Sequence, residues 1–254
     1  MEDKIASFYS LLAEHYHLMF EDWDQSIERQ AKALNSLLAF EVRDGALKIL
    51  DCACGIGTQA LGFAAYGHQV VASDLSPAAV ARAIKEAERR GRRISFYVSN
   101  MTQLVEIEES DFDVVAALDN AIPHLTADQL ISALAAIALT LRPNGLFIAS
   151  IRDYDALLPQ RPTIQGPAFY GGDGDRRIVQ QVWDWIDDRK YTLHLYITRQ
   201  AGAEWIAHHF VSEYRCLLRD ELTAALQSAG FEKVRWLMPV ESGYYQPLVL
   251  ARWP

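Results

Sequence analysis

The sequence predicts an α/β fold with a doubly wound, mostly parallel sheet of seven strands, a helical cap before it and an antiparallel lid inserted into it. Three observations support this fold class. Strand-like apolar runs alternate with helical segments over residues 46–150, which is typical of a parallel sheet covered on both faces. Residues 5–40 show helical periodicity, and short strand-like runs joined by tight turns follow the alternating region.

The composition fits one large domain, or one domain with a lid. Half of the 254 residues are hydrophobic and 22% are charged, so the chain can bury a sizeable core. A net charge of −9 argues against binding to the phosphates of nucleic acid. No signal peptide and no apolar run of membrane-spanning length is visible, so we expect a cytoplasmic protein without a membrane partner. The oligomeric state is left open.

Cysteine usage indicates neither a disulfide framework nor a metal centre. The chain has three cysteines, and Cys52 and Cys54 are not followed by a second pair at a metal-ligand spacing. We therefore expect no metal in the site.

Apolar and aromatic residues at helical spacing predict the cap over residues 1–45, interrupted by the acidic and aromatic stretch from Met19 to Asp24. In the core, strands are expected near 47–52, 69–73, 94–98, 112–118 and 145–150, and helices near 58–66, 77–91 and 126–141. Ser76-Pro77 is typical of a helix start, and Arg142-Pro-Asn-Gly145 of a turn that ends a helix.

The pattern changes after the fifth strand. Residues 159–175 are rich in proline and glycine, which predicts an irregular loop. Strands are then expected near 177–186, 190–199 and 204–214, a helix near 219–229, and two last strands near 231–238 and 246–252. Because the short antiparallel strands fall between the fifth strand and the last helix, we predict a lid over 154–215. The Rossmann-like core would comprise 46–153 and 216–254.

A glycine-containing turn after the first strand predicts a nucleotide-binding loop. Gly55 and Gly57 allow a sharp turn and a close approach of the ligand, and Ala53 would contribute its small size. Asp74, at the end of the second strand, is well placed to accept hydrogen bonds from ribose hydroxyls. This pattern suits both NAD and S-adenosylmethionine. The second half of the chain lacks a second mononucleotide unit for a nicotinamide, which favours S-adenosylmethionine.

Three further segments resemble class I S-adenosylmethionine-dependent methyltransferases, and in particular the glycine and glycine/sarcosine N-methyltransferase group. They are Ser99-Asn-Met101, Leu118-Asp-Asn-Ala-Ile-Pro-His-Leu125 and Ile151-Arg-Asp-Tyr-Asp155. The second is similar to the family's Leu-Gly-Asn-Ser-Phe-Ala-His-Leu, and the third to its His-Arg-Asn-Tyr-Asp. The resemblance extends from about residue 5 to the end. It implies methylation of a small amine such as glycine or sarcosine.

The resemblance also implies which residues contact the cofactor. They are Tyr9, Tyr16, Trp23, Ala53, Gly55, Gly57, Asp74, Leu75, Asn100, Met101, Leu118 and Asp119. The three aromatic residues of the cap could equally be core residues. Met101 stands where the family has tryptophan, and its sulfur can still pack on an adenine ring. Asp119 stands where the family has glycine, and an acid there could attract a cationic amine or exclude a carboxylate.

Asn120, His124 and Arg152 are the predicted catalytic residues. Asn120 lies at the carboxyl end of the fourth strand, where open sheets bind ligands, although it could simply stabilise a loop. His124 could contact the cofactor, transfer a proton or only pack. The planar guanidinium of Arg152 suits a carboxylate. Its alternative role is a structural salt bridge to Asp153 or Asp155.

Other functions stay open at this point. The long loop after the fifth strand would permit methylation of oxygen or carbon in a larger metabolite. A cofactor-binding regulator without activity and an NAD-dependent dehydrogenase are the remaining alternatives. Of the lid tyrosines, Tyr170, Tyr196 and Tyr214 could face the site or serve only in packing.

Overall fold

The computed structural model describes residues 2–254. Its helices are α1 (Glu2–Leu12), α2 (Trp23–Glu41), α3 (Thr58–Ala65), α4 (Pro77–Arg89), α5 (Ala127–Thr140), α6 (Tyr154–Gln160), α7 (Arg219–Ser228) and α8 (Pro239–Ser242), with 3-10 turns at Tyr16–Met19 and Ile122–His124. Its strands are β1 (Lys48–Asp51), β2 (Gln69–Asp74), β3 (Ile94–Val98), β4 (Phe112–Ala117), β5 (Leu141–Ser150), β6 (Ile164–Tyr170), β7 (Arg177–Trp185), β8 (Lys190–Ala201), β9 (Glu204–Arg215), β10 (Glu232–Leu237) and β11 (Leu248–Arg252).

The larger sheet contains seven strands in the order β10-β11-β5-β4-β1-β2-β3. Strand β11 runs antiparallel to both of its neighbours, and the other neighbouring pairs are parallel. Helices α5 and α7 pack against one face, and α2 and α3 pack against the other. This topology confirms the predicted doubly wound, Rossmann-like class.

Strands β1, β2, β4 and β5 are parallel, so their carboxyl ends lie at one edge of the sheet. Every residue of β4 is buried, because the strand lies in the middle of the sheet between helices on both faces. The loops that follow these four strands are therefore brought together. They carry the glycine turn, Asp74, the Asp119–Asn120 pair and Arg152, which identifies this edge as the place to look for a site.

The antiparallel sheet, with strand order β6-β7-β8-β9, covers that edge together with the cap. Its inner face packs on Phe8 and Leu12 of α1. The buried guanidinium of Arg177 donates hydrogen bonds to the carbonyl oxygens of Leu18, Phe20 and Glu21, at 3.1, 2.7 and 2.8 Å. The 3-10 turn of the cap is thus tied directly to the lid.

Two local predictions were wrong. Residues 159–175 are not an irregular loop, because Ile164–Tyr170 forms the edge strand β6 and pairs with β7. The register shifts between Gln165 and Ala168, around Pro167, and an edge strand with a bulge tolerates such a proline. Residues 142–145 do not separate helix from strand either. They form a bulge inside β5, where Leu141 pairs with Phe112 and Leu146 with Val114.

No helix within residues 2–254 combines the length and the apolar character needed to cross a membrane.

Close packing of α2 on α3 depends on a glycine. A Cβ atom built on Gly62 would lie 2.8 Å from the Cβ of Ala31, so one helix would have to shift. We expect Gly62→Ala to lower the free energy of unfolding by about 1–3 kcal/mol, as for other overpacked cores. Urea unfolding measures this change. The matched control is Gly172→Ala, where the added Cβ meets nothing within 4 Å. Equal stability of the two variants would contradict the explanation.

Candidate active site

A deep cavity lies at the carboxyl edge of the sheet, between the glycine turn and the cap. It encloses about 810 Å³, part of it open to solvent. Eleven of the predicted site residues line it, namely Tyr9, Tyr16, Ala53, Gly55, Asp74, Leu75, Asn100, Met101, Leu118, Asp119 and His124. We call this space the cofactor cavity.

The glycine turn forms one wall of the cofactor cavity. Gly55 has a φ of +52°, and a Cβ built on it would meet no atom within 4 Å, so a ligand can approach the backbone there. Its N–H donates a 2.8 Å hydrogen bond to Oδ2 of Asp74, and Oδ1 of the same carboxylate accepts from the N–H of Ser76 at 2.9 Å. Asp74 is therefore held in place with lone pairs left for further donors.

Acidic groups dominate the charge of this cavity. Asp74 and Asp119 line it, and Asp51 lies buried behind the glycine turn with its Oδ2 atom unpaired. Burial, reinforced by the neighbouring Asp74, raises the pKa of Asp51 to about 7. Such a wall favours a ligand with hydroxyl donors and positive charge. It disfavours the pyrophosphate of a dinucleotide, because negative charges would face each other.

At the far end of the cofactor cavity, Asn100 and Met101 line the wall after β3. Oδ1 of Asn100 accepts a 3.0 Å hydrogen bond from the N–H of Thr102, which fixes the turn. Met101 is half-buried and packs on the core cluster below it. Together they offer the polar and polarizable surface that a purine ring needs.

A second chamber adjoins the cofactor cavity on the side of the lid. It consists of two spaces of about 410 and 1100 Å³, both partly open, that share Met19, Asp119, Arg152, Gln181 and Gln246. The smaller space shares Tyr9, Tyr16 and Asp119 with the cofactor cavity. A ligand in the second chamber would therefore lie beside a ligand in the cofactor cavity.

Arg152 is fixed in the wall of the second chamber. Its backbone N–H donates to Oδ1 of Asn120 at 2.9 Å, and its Nη1 donates to the hydroxyl of Tyr191 at 2.8 Å. The guanidinium also lies 5.0 Å from the ring centre of Trp183 and 5.3 Å from that of Tyr214, within the range of cation–π attraction.

Among residues 4–254, whose side chains the structure describes, no carboxylate forms a salt bridge with Arg152. The alternative predicted for it is excluded, since Asp153 and Asp155 both pair with Arg219, at 2.9 and 3.5 Å. Burial alone would lower the pKa of Arg152, but the hydroxyls of Tyr191 and Tyr154 raise it above the usual value. The site thus holds a permanent cation without an anionic partner.

Asn120 connects the loop after β4 with the loop after β5. Besides accepting from Arg152, it donates from Nδ2 to the hydroxyl of Tyr154 at 3.1 Å. Its φ of +64° is in the left-handed region, which asparagine tolerates better than most residues. Asn120 lines the second chamber, and its contacts show that it positions Arg152.

His124 lies between cap and lid in the wall of the cofactor cavity. Its Nε2 is 2.8 Å from the hydroxyl of Tyr9, and its ring lies 4.1 Å from that of Tyr214. Burial lowers the pKa of His124 to about 3, so the imidazole is neutral at working pH. A neutral, hydrogen-bonded imidazole can orient Tyr9 without adding charge to the site.

Two predicted cofactor residues lie outside the cofactor cavity. The indole N–H of Trp23 donates to Oγ1 of Thr58 at 2.9 Å, so this side chain anchors α2 to the start of α3. Gly57 has a φ of +95° and faces Ala83 of α4, where an added Cβ would lie 3.3 Å away. Both residues pack on the side of the glycine turn that faces away from the cofactor cavity.

Sequence reasoning missed the lid's contribution to the second chamber. Of the three lid tyrosines considered, Tyr214 lines the chamber, whereas Tyr196 stacks on His209. Tyr191 and Gln181 were not singled out, although both contact Arg152. A period-two pattern of large inward residues on β7 and β8 could have indicated them.

Comparison with known proteins agrees with this geometry. Residues 49–145 match the family model of a methyltransferase domain. Among solved structures, DesVI of Streptomyces venezuelae is similar with a TM-score of 0.78 at 18% identity, covering 94% of this chain and 97% of that one. The sugar N-methyltransferase KedS8 from Streptoalloteichus has a TM-score of 0.73 at 19% identity, covering 95% and 93%. Fold, site and family match together define an S-adenosylmethionine-dependent methyltransferase.

Within this class the chain resembles the glycine/sarcosine N-methyltransferases. It is 25% identical to the glycine/sarcosine N-methyltransferase of Halorhodospira halochloris over 215 residues. This match covers 84% of this chain and 75% of the relative. The cofactor is S-adenosylmethionine, and the acidic wall and the open backbone at Gly55 fit its ribose and its positive charge. Asp74, Asn100 and Met101, which were predicted to hold the ribose and the adenine, all line the cofactor cavity.

Proposed function

We propose that the enzyme transfers a methyl group to the nitrogen of a small amino acid, such as glycine or sarcosine. The observation that supports this proposal most strongly is the half-buried guanidinium of Arg152, which lies in the wall of the second chamber without an acidic partner. A charge taken out of water without a partner is unfavourable, and a substrate carboxylate would compensate it. The guanidinium fork can bind both carboxylate oxygens at once.

The surroundings of Arg152 suit recognition of a small carboxylate. Tyr191 is stacked between Trp183 and Tyr214, with ring centres 4.2 and 5.7 Å apart, so its hydroxyl holds the guanidinium in a fixed place. Gln181 adds a longer contact of 3.5 Å from the other nitrogen. A carboxylate bound here would leave the attached amine directed along the chamber, and Asp119 marks the end that joins the cofactor cavity.

Catalysis on such a substrate requires mainly positioning. The bound cofactor supplies an electrophilic methyl group, so no protein nucleophile is needed. The protein holds the amine in line with that group and removes the entropy of the encounter. Exclusion of water by the lid and the cap around a bound substrate would strengthen the contacts of Tyr9, Tyr16 and Asp119 with the reacting nitrogen.

The larger part of the second chamber, about 1100 Å³, exceeds the size of glycine. This volume favours a second candidate for the methyl acceptor, namely a larger amine or a hydroxylated metabolite. It is lined by Ser26, Arg29 and Gln30 of α2 and by Tyr245 near the end of the chain. An amino acid with a longer side chain would extend into the same space.

A substrate panel tests the proposed function directly. Release of S-adenosylhomocysteine would be measured with glycine, sarcosine, longer amino acids, methylamine, glycolate, a catechol and an amino sugar. We expect turnover of an amino acid with a kcat/KM at least about a hundredfold above that of methylamine, because an unpaired Arg152 penalises substrates without a carboxylate. Turnover of the amino sugar or the catechol, with none of any amino acid, would refute the proposal. Cofactor binding without any turnover would indicate a regulator.

A further inference from the structure

From its position and contacts, we infer that Asp119 is the residue that makes this enzyme select nitrogen over oxygen in the acceptor. Its carboxylate would bind the cationic nitrogen of the substrate while Arg152 binds the carboxylate. This inference rests on the proposed function and refines its substrate class to zwitterionic amino acids. The motif that this segment resembles has glycine at this position, so the resemblance does not assign this role.

Asp119 is the residue common to the cofactor cavity and both spaces of the second chamber, among residues 2–254. The methyl group must pass between these spaces. A charge at this junction therefore acts on the reacting atoms more strongly than a charge anywhere else in the walls.

Two tyrosines hold the Asp119 carboxylate in place. The hydroxyl of Tyr16 donates to Oδ2 at 2.7 Å, and the hydroxyl of Tyr245 donates to Oδ1. The backbone is fixed as well, since the N–H of Asp119 donates to Oγ of Ser150 at 2.7 Å, and that hydroxyl donates to Gln246. Each carboxylate oxygen keeps a lone pair for a ligand, because each accepts one hydrogen bond from these tyrosines.

Within the part of the chain that the structure describes, no arginine, lysine or histidine forms a salt bridge with Asp119. Arg152 likewise has no acidic partner, and the two charges line the same chamber without pairing with each other. An anion and a cation that face one space but remain apart are complementary to a ligand that carries both charges. A zwitterionic amino acid has this pattern.

The chemistry of transfer favours nitrogen beside such a carboxylate. The bound ammonium first releases one proton to water, because only the neutral amine has a lone pair. That lone pair forms the new N–C bond while the S–C bond breaks with its electron pair on sulfur, so the positive charge passes from the sulfonium to the nitrogen. An N–H donor that becomes more positive strengthens its hydrogen bond to Asp119 in the transition state. A hydroxyl is a weak nucleophile until it is deprotonated, and the negative charge of the resulting alkoxide would be repelled by the Asp119 carboxylate.

The test compares an amino acid with its hydroxy acid in the Asp119→Asn variant. Asparagine keeps the shape and tolerates the φ of +57° at this position, but it removes the charge. Binding of glycine and of glycolate would be measured by calorimetry on enzyme saturated with S-adenosylhomocysteine, which prevents turnover. We expect the preference for glycine over glycolate to fall at least about tenfold, through weaker glycine binding alone.

The matched control is Asp173→Asn, which removes an equal charge from an exposed lid residue and should leave the preference unchanged. Tyr245→Phe provides a second variant. It keeps the carboxylate but removes one of the two hydrogen bonds that fix it, so the preference for glycine should fall by less than in Asp119→Asn. The affinities for S-adenosylmethionine and S-adenosylhomocysteine give a third readout. If Asp119→Asn lowers only the affinity for S-adenosylmethionine, which carries the sulfonium, and leaves the preference for glycine intact, Asp119 binds the cofactor and the inference is wrong.

The two proposals can fail separately. If the wild type methylates an amino acid but Asp119→Asn keeps the preference, only the inference about Asp119 is overturned. If glycine binding depends on Asp119 while no amino acid is turned over, the cation site stands and the proposed activity fails.

Discussion

Replacing Asp74 with asparagine is expected to weaken S-adenosylmethionine binding by about ten- to a hundredfold, the range for a lost hydrogen bond to a charged group. Both oxygens of Asp74 accept backbone N–H groups, from Gly55 and Ser76, and the remaining lone pairs face the cofactor cavity. An asparagine amide would direct an NH₂ group against one of these N–H donors. The variant should therefore lose the ligand contact and disturb the glycine turn together.

Calorimetry with S-adenosylmethionine and with S-adenosylhomocysteine checks the Asp74→Asn prediction. Because the ribose is common to both ligands, the two affinities should fall by the same factor. Asp188→Asn is the control, since this lid residue is exposed and does not line the cofactor cavity. A change of less than about twofold, within ordinary surface effects, would contradict the role given to Asp74.

The same carboxylate predicts a pH dependence. Burial raises the pKa of Asp74, although hydrogen bonds from Ser76 and Gly55 act in the opposite direction. Only the ionised form offers a full set of acceptors, so cofactor affinity of the wild type should fall as the pH decreases through this raised pKa. Asp74→Asn should lose that part of the acid dependence.

The core and the cofactor cavity could be predicted from the sequence because they follow local rules. Gly55 and Asp74 stand at fixed positions after parallel strands, and parallel strands bring their carboxyl ends to one edge. Strands and helices alternate regularly over residues 46–150. This regular alternation is why the doubly wound class could be predicted. The same reasoning selected Asn120 and Arg152 as candidates, and the structure joins them through a 2.9 Å hydrogen bond.

The second chamber could not be predicted in the same way. Its lid residues Gln181 and Tyr191 lie on the paired strands β7 and β8 and contact Arg152. Which residues of these strands face Arg152 depends on the register of strand pairing, and the register cannot be derived from local sequence alone. For Trp23 the sequence left a cofactor contact and a core role open, and the structure shows the residue outside the cofactor cavity, where its indole N–H donates to Thr58 at the start of α3. Glycine and proline around Pro167 were read as a loop, although an edge strand accepts them.

Replacing Arg152 with lysine is expected to lower kcat/KM for the amino acid by about a hundredfold, mostly through KM, with cofactor affinity unchanged. Lysine keeps the charge but lacks the planar fork, so it cannot bind both carboxylate oxygens while also donating to Tyr191. A loss of this size corresponds to about 3 kcal/mol, within the range for breaking a buried charge pair. Arg152 lines the second chamber and not the cofactor cavity, which is why the two affinities should separate.

A comparison with a neutral substrate distinguishes carboxylate binding from a general structural role of Arg152. Glycinamide lacks the carboxylate, so Arg152→Lys should lower its kcat/KM far less than that of glycine. The ratio of the two decreases measures the coupling between Arg152 and the substrate carboxylate. Arg161→Lys is the matched control, because Arg161 also lies over a tryptophan ring, that of Trp185, but on the exposed side of the lid. Equal losses for glycine and glycinamide would show that Arg152 shapes the chamber without contacting the substrate. Unequal losses with constant cofactor affinity place the substrate carboxylate on Arg152, because no other property of the substrate differs at that end.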